Sequence, residues 1–253
     1  MKYLSEEDTG FKGLEHYESL KKRFNKPDIN DWYEKIYRHP QAIGYVSAFF
    51  KKNKPSSFEN AIGLYHLSGI LDRNLPITDR GRTKEEIEDL AIDWKAKCGV
   101  DLPLVDFYDT LILHAVIETV FGYLMEGTAA AAYRERGFDV KETDGYDDRS
   151  LGIDFIATKD DTELLVQVKP ISFFRGEKPD LVKDRVTTWS KHKAGLEKYP
   201  KASYVYMIYD PLTKWLKHNG KFNFRYEDLI TEDGKAKTSI DDKTKYIHED
   251  KLN

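Results

Sequence analysis

The sequence contains one cysteine, Cys98, in 253 residues. A single thiol can form no internal disulfide and no cysteine-based zinc site, and it fits a reducing cytoplasm. No apolar run reaches the roughly 20 residues that a membrane span requires. The most apolar stretch, Leu111 to Met125, contains His114 and Glu118 and reads as a buried helix. Met1 to Asp8 lacks the apolar core of a secretion signal, so a cytoplasmic protein without membrane contact is expected. There is no G-x-x-x-x-G-K-[ST] loop, which argues against nucleotide-driven activity. Internal repeats and low-complexity linkers are also missing. What remains is a chain with 40% hydrophobic, 13% aromatic and 33% charged residues, which describes a packed core under a charged surface rather than disorder.

The formal charge of −4 does not announce a polyanion binder, but the charge is unevenly spread. Between Lys169 and Arg225 stand thirteen Lys and Arg against five Asp and Glu, a surplus of eight. A stretch of this kind suits a phosphate backbone, and a solvated helix face accounts for it about equally well. The candidate contacts are Arg175, Lys178, Lys183, Arg185, Lys191, His192 and Lys193. His114, on an apolar helix, reads as a satisfied core histidine, and His218-Asn219-Gly220 as a turn.

The first hundred residues or so read as helical. Trp32, Ile36 and Tyr37 share one helical face; Ile43, Val46, Phe49 and Phe50 continue the pattern, as do Ala61, Leu64 and Tyr65. Thr83 and Glu86 have the spacing of a capping box that opens a helix through Ile87, Leu90, Ala91 and Trp94, with Gly99 as its stop. A longer helix is expected from about Asp106 to Arg136, with a break near Gly122 or Gly127 and its end at Gly137. After Gly137 the period shortens to that of strands. Phe138–Thr143, Ile153–Ala157 and Glu163–Lys169 read as three strands, with turns at 144–148 and 159–162. A basic helix over 180–198 and a buried strand over 202–209 follow. The order defines an α/β protein. Three segments result: 1–105, helical, for DNA recognition or dimerisation; 106–226, a catalytic core; and 227–253, a polar tail.

Side chains alternate across a strand, so Gln167 and Lys169 project from one face. Asp154 precedes them on the strand expected to pair with theirs as a hairpin. A carboxylate, an amide oxygen and an ammonium then converge. That set suits metal-assisted phosphodiester hydrolysis. Mg²⁺ takes oxygen ligands, often only one or two carboxylates plus substrate phosphate. Asp154 is the first ligand, the Gln167 side-chain oxygen a second, and the Val168 carbonyl a third. Lys169 can orient or deprotonate the attacking water and offset developing negative charge.

Gly152-Ile153-Asp154-Phe155-Ile156-Ala157 followed by Leu164-Leu165-Val166-Gln167-Val168-Lys169 resembles the hairpin of the PD-(D/E)XK nuclease superfamily, with glutamine at the usual middle acid. Glu126, Ala129, Ala130, Gly137 and Val140 resemble the helix and first strand that precede it in many members. The resemblance covers about residues 118 to 210. It implies a restriction-endonuclease-like core, a mixed central sheet flanked by helices, with a helical N-terminal region added. It also implies Glu126 as an outer metal ligand, Mg²⁺ as cofactor with Mn²⁺ able to substitute, and 5′-phosphate and 3′-hydroxyl ends. Val166 to Phe173, with Asp31-Trp32-Tyr33 and Trp94, is similar to type II restriction endonucleases of the MjaI kind, whose members recognise the palindrome CTAG.

The expected function is therefore a type II site-specific endonuclease that cuts double-stranded DNA as a homodimer, with a DNA methyltransferase as its functional partner. Two alternatives stand beside it: a nuclease of the same type acting on repair, branched or modified DNA, and a non-catalytic DNA-binding protein on a nuclease-like fold. The absent middle acid favours the last; Asp154 together with Lys169 argues against it.

Overall fold

The computed structural model describes residues 11–26, 29, 32, 46–99, 101–143, 145–175, 179–210, 214–215 and 223–237. Asp31, Tyr33, Ile36, Tyr37, Ile43, Lys178 and the turn at 218–220 lie outside them. The chain divides into two compact units, one spanning Glu6–Leu124 and the other beginning at Met125.

The first unit is built from helices: α1 (Tyr17–Phe24), α2 (Val46–Asn53), α3 (Phe58–Leu71), α4 (Lys84–Cys98) and α5 (Leu104–Leu111). Aromatic edges and faces fill its interior. Phe11 meets Phe58 edge-on, Trp32 meets Phe107 edge-on, and Tyr17 stacks on Phe121. The capping box is present: the Glu86 N–H donates to Thr83 Oγ1 at 3.2 Å, and the Thr83 N–H donates to Glu86 Oε2 at 3.0 Å. Arg80 clamps the same carboxylate with bonds of 2.8 and 2.6 Å. Helix α4 stops at Gly99, as expected. Helix α3 is longer than its apolar pattern suggested, because Ser57 caps it by accepting the Asn60 N–H. The expected break near Gly122 or Gly127 is not found. The irregularity lies earlier, in a π-helical turn over Ile112–Ile117, after which α6 (Glu118–Glu135) runs through both glycines. His114 is half-buried there, its Nδ1 2.8 Å from Glu118 Oε2.

The second unit is an α/β layer structure around a mixed six-stranded sheet. Its strands are β1 (Asp139–Glu142), β2 (Phe155–Lys159), β3 (Thr162–Pro170), β4 (Ser203–Asp210), β5 (Lys214–Trp215) and β6 (Asn223–Phe224). The path runs β1-β2-β3-β4-β5, with β6 also on β4. The first three strands are mutually antiparallel, and β4 is parallel to β3. A parallel partner needs a crossover, supplied by the basic helix α8 (Pro179–Lys198). The turn of the β2–β3 hairpin is tight, with Asp160 at φ 50, a region that Asp tolerates.

The expected turn at 144–148 is a short helix instead, α7 (Gly145–Leu151). Asp147 explains it: its carboxylate ties α7 to the end of α8, 2.6 Å from Lys198 Nζ and 2.8 Å from Tyr199 Oη. The expected polar tail also differs in its first part. Leu229 and Ile230 are buried in the same core as the sheet, because Arg185 of α8 reaches out and binds the Gly234 carbonyl.

Alternation gives the sheet two dressed faces. On one, Ile156, Leu165, Tyr204, Tyr206 and Ile208 pack beneath Trp189, His192 and Gly195 of α8. On the other, the Tyr133 ring of α6 lies 5.5 Å from Phe155. Its hydroxyl donates to Asn223 Oδ1 at 2.6 Å, and burial pushes the phenol up to about 12.

Candidate active site

Asp154 sits immediately before β2. Its N–H donates to the Val166 carbonyl at 2.9 Å, and its carboxylate Oδ2 accepts the Val168 N–H at 2.7 Å. These two bonds bracket Gln167, so Asp154 lies directly across from it. Thr143, just past β1, fixes the backbone here: its hydroxyl is shared between the carbonyls of Ile153 and Asp154. In an extended strand a residue's N–H and C=O point to the same edge. The Val168 carbonyl therefore faces the edge that Asp154 occupies.

Gln167 is 4% exposed, and its side-chain oxygen is enclosed without a hydrogen-bond partner. Its amide nitrogen rests against Gly152, where a Cβ would come within 2.8 Å of it. Gly152 also has φ +66, the left-handed region that favours glycine. Both facts place glycine there. The Tyr204 hydroxyl holds the Gly152 turn in place by pointing at two carbonyls, Gly152 at 2.6 Å and Leu151 at 3.0 Å. Lys169 lies two residues further along the same face of β3, half-buried, with its Nζ 5.8 Å from the centre of the Phe173 ring.

The structure thus brings Asp154, Gln167, Val168 and Lys169 together at the ends of β2 and β3. Glu126 is half-buried on α6, two turns before Tyr133. Among the described residues, no three His, Cys, Asp or Glu side chains group as a metal cage. A divalent ion at this edge would rest on one carboxylate, an amide oxygen, a backbone carbonyl and the substrate phosphate, a set compatible with Mg²⁺.

Two candidate DNA contacts are corrected. Arg185 is fully buried, and its guanidinium donates to the carbonyls of Phe173, Arg175 and Gly234 at 2.7, 2.8 and 3.2 Å. It has turned inward to satisfy loop carbonyls and cannot meet phosphate. His192 is also buried, its ring 4.5 Å from that of Tyr204. It belongs to an aromatic cluster because α8 presents that face to the sheet. Of the others, Lys183 is exposed and Arg175 half-buried. Lys191 donates to the Arg149 carbonyl at 2.5 Å, and exposed Lys193 lies 3.3 Å from Glu232 and over the Trp189 ring.

Three residues to which the sequence assigned no role in the catalytic constellation stand near it: Gly152, Tyr204 and Tyr206. Tyr206 is the register partner of Gln167 on β4. Burial, and then the nearby Asp154 charge, raise the Tyr204 phenol well above its ordinary range; burial and neighbouring phenols do the same for Tyr206. The visible signal was a pair of tyrosines at i and i+2 on a strand, which reads equally well as core.

No protein-family model, no curated protein and no solved structure matches this chain. Among the described residues, no helix is long and apolar enough to cross a membrane.

Proposed function

We propose that this protein is a Mg²⁺-dependent endonuclease of the PD-(D/E)XK type that cuts double-stranded DNA, in the manner of a type II restriction enzyme. The observation that carries the reading is the clasp of the Asp154 carboxylate by the Val168 N–H, directly across from the enclosed Gln167 oxygen and two residues from Lys169. The order helix, three antiparallel strands, helix, parallel strand supports it, being the order the resemblance implies.

The residues present fit a hard cation. An enclosed carbonyl oxygen without a donor costs about 1–3 kcal/mol, and an electropositive partner relieves that cost. Bound Mg²⁺ supplies Lewis acidity to the phosphate and a lower pKa to water. Asp154 contributes the one formal negative charge, oriented by the Val168 amide. Gln167 contributes an oxygen without charge. Lys169, on the same face, offsets charge that develops on the phosphate and orients the attacking water. The same reading carries a homodimer on a palindromic site and a protecting methyltransferase.

Incubation of the purified protein with phage DNA and Mg²⁺, with sequencing of the fragment ends, tests it. Discrete fragments with 5′-phosphate ends and one shared terminal sequence are expected. Nicking confined to branched or methylated DNA would reassign the substrate. Binding without cleavage in both Mg²⁺ and Mn²⁺ would sink the enzymatic reading.

A further inference from the structure

Helix α3 is apolar on both sides. Phe58, Ala61, Tyr65, Ser68 and Gly69 turn into the first unit and are buried. At about 100° of rotation per residue, Asn60, Gly63, Leu64, Leu67, Ile70 and Leu71 fall on the opposite face. Leu67, Ile70 and Leu71 are 47%, 51% and 70% exposed, and Leu75 in the turn that follows is 45% exposed. A surface helix ordinarily carries charge on its outer face. Within α3 the only Asp, Glu, Lys or Arg is Glu59, in the first turn. A helix that is apolar all round is normally covered all round, and a contiguous exposed apolar patch marks an interaction surface.

The face is complementary to itself. Gly63 leaves a notch, since a Cβ built there would meet nothing within 4 Å. Leu71, two turns further along, is the most exposed of the large apolar side chains. When two copies of α3 pack antiparallel about a two-fold axis at Leu67, residue 63 of one copy meets residue 71 of the other. Leu71 then enters the Gly63 notch, and Ile70 lies beside Leu64, each contact made twice. The ends match as well. Exposed Lys54 and Glu59 stand at the N-terminal end, exposed Asp72 and Arg73 at the C-terminal end. Antiparallel packing brings each end of one copy to the opposite end of the other, so each acid finds a base. The opposed helix dipoles favour the same arrangement. A parallel pair would instead set Leu71 against Leu71 and Glu59 against Glu59.

We infer that this face of α3 is the contact between two copies of this chain, paired antiparallel about Leu67. The face covers about two turns of helix. That places it at the small end of specific interfaces and makes the pairing concentration-dependent. The inference is drawn from α3 alone. It gives the homodimer of the nuclease reading an interface without resting on that reading.

Sedimentation velocity of the full-length protein, without DNA or metal, tests it. The wild type is expected to shift from monomer to dimer as concentration rises. Leu71→Glu should weaken that self-association about a hundredfold, since each dimer loses two buried leucines. A Leu71→Glu variant that dimerises as the wild type does would overturn the proposal. The geometry is read by oxidative cross-linking in a Cys98→Ser background. Leu67→Cys places two thiols at the axis and should give a disulfide-linked dimer on a non-reducing gel. Glu59→Cys places them roughly 24 Å apart along the helices, beyond disulfide reach, and should stay monomeric there. Cross-linking at position 59 as readily as at 67 means a parallel pair and overturns the proposal, as does failure at 67. A wild type that stays monomeric at every concentration overturns it too, and assigns the face to a different partner. Neither measurement includes DNA or metal, so the result holds whatever the cleavage assay returns.

Discussion

In the proposed reaction Asp154 and Lys169 have different roles, and their substitution would separate chemistry from stability. Asp154→Ala and Lys169→Ala should each abolish Mg²⁺-dependent cleavage of plasmid DNA, while circular dichroism melts stay close to wild type; near-normal cutting by either variant would remove it from the site. Gly152→Ala acts through geometry. It forces a side chain into the left-handed region, at a cost of about 1–2 kcal/mol, and presses on the Gln167 amide. Both a lower urea midpoint and weaker cleavage are expected, with binding to DNA in Ca²⁺ retained. Asp154, Gln167 and Lys169 were legible in the sequence because the hairpin is local: alternation and a short turn suffice to bring them together. Tyr206 was not, because its pairing with Gln167 depends on the register of a parallel strand reached through a twenty-residue helix. No local pattern encodes that register.

Helix α8 was legible as a basic helix, yet the direction of its charges was not. Charge counts do not say which face turns inward, and Arg185 and His192 turn inward. Arg185→Met should cost more than about 3 kcal/mol in urea unfolding, since three carbonyls of the segments flanking α8 lose a charged donor. Cleavage should fall with it, because Phe173, whose carbonyl accepts from Arg185, also carries the ring beside Lys169. His192 imposes a pH dependence. Burial lowers its pKa below the ordinary value, with Glu227 opposing only in part. As pH falls through about 6.5, the unfolded chain takes up the proton first. Stability contributed by the neutral ring is therefore full above that pH and is lost progressively toward the lowered folded value. Urea midpoints of wild type should drop between pH 7.5 and 5.5, and those of His192→Phe should drop less; parallel curves would refute this. The short helix α7 escaped notice because Gly145 and three aspartates at 144–148 read as a turn. The Asp147 bonds to Lys198 and Tyr199 that favour it come from fifty residues away.

Over the whole molecule, the segregation of charge is the feature that bears most on the proposed DNA substrate. The surplus of eight between Lys169 and Arg225 overstates the surface available, since Arg185 is buried and Lys198 is 2.6 Å from Asp147. Each phosphate contact contributes about −0.9 to the slope of log affinity against log salt. Lys183→Ala should make that slope shallower by about that amount, while Lys198→Ala leaves it unchanged; anisotropy titrations in Ca²⁺ at several salt concentrations would read both. The α/β class and the order of elements from Gly137 onward were legible because strands and helices there follow clean periods. The burial of Leu229 and Ile230 was not, because a short apolar pair in a polar segment carries no periodicity. One element sets a limit on the whole assembly. Among the described strands β1 stands at the end of the sheet, only four residues long, with Asp139, Lys141 and Glu142 exposed. Charges on a short border strand discourage an incoming chain from docking along its open backbone. Crowded copies of this protein are thereby kept from zipping border to border into aggregates, and replacing those three residues with valine or threonine would lift that restraint.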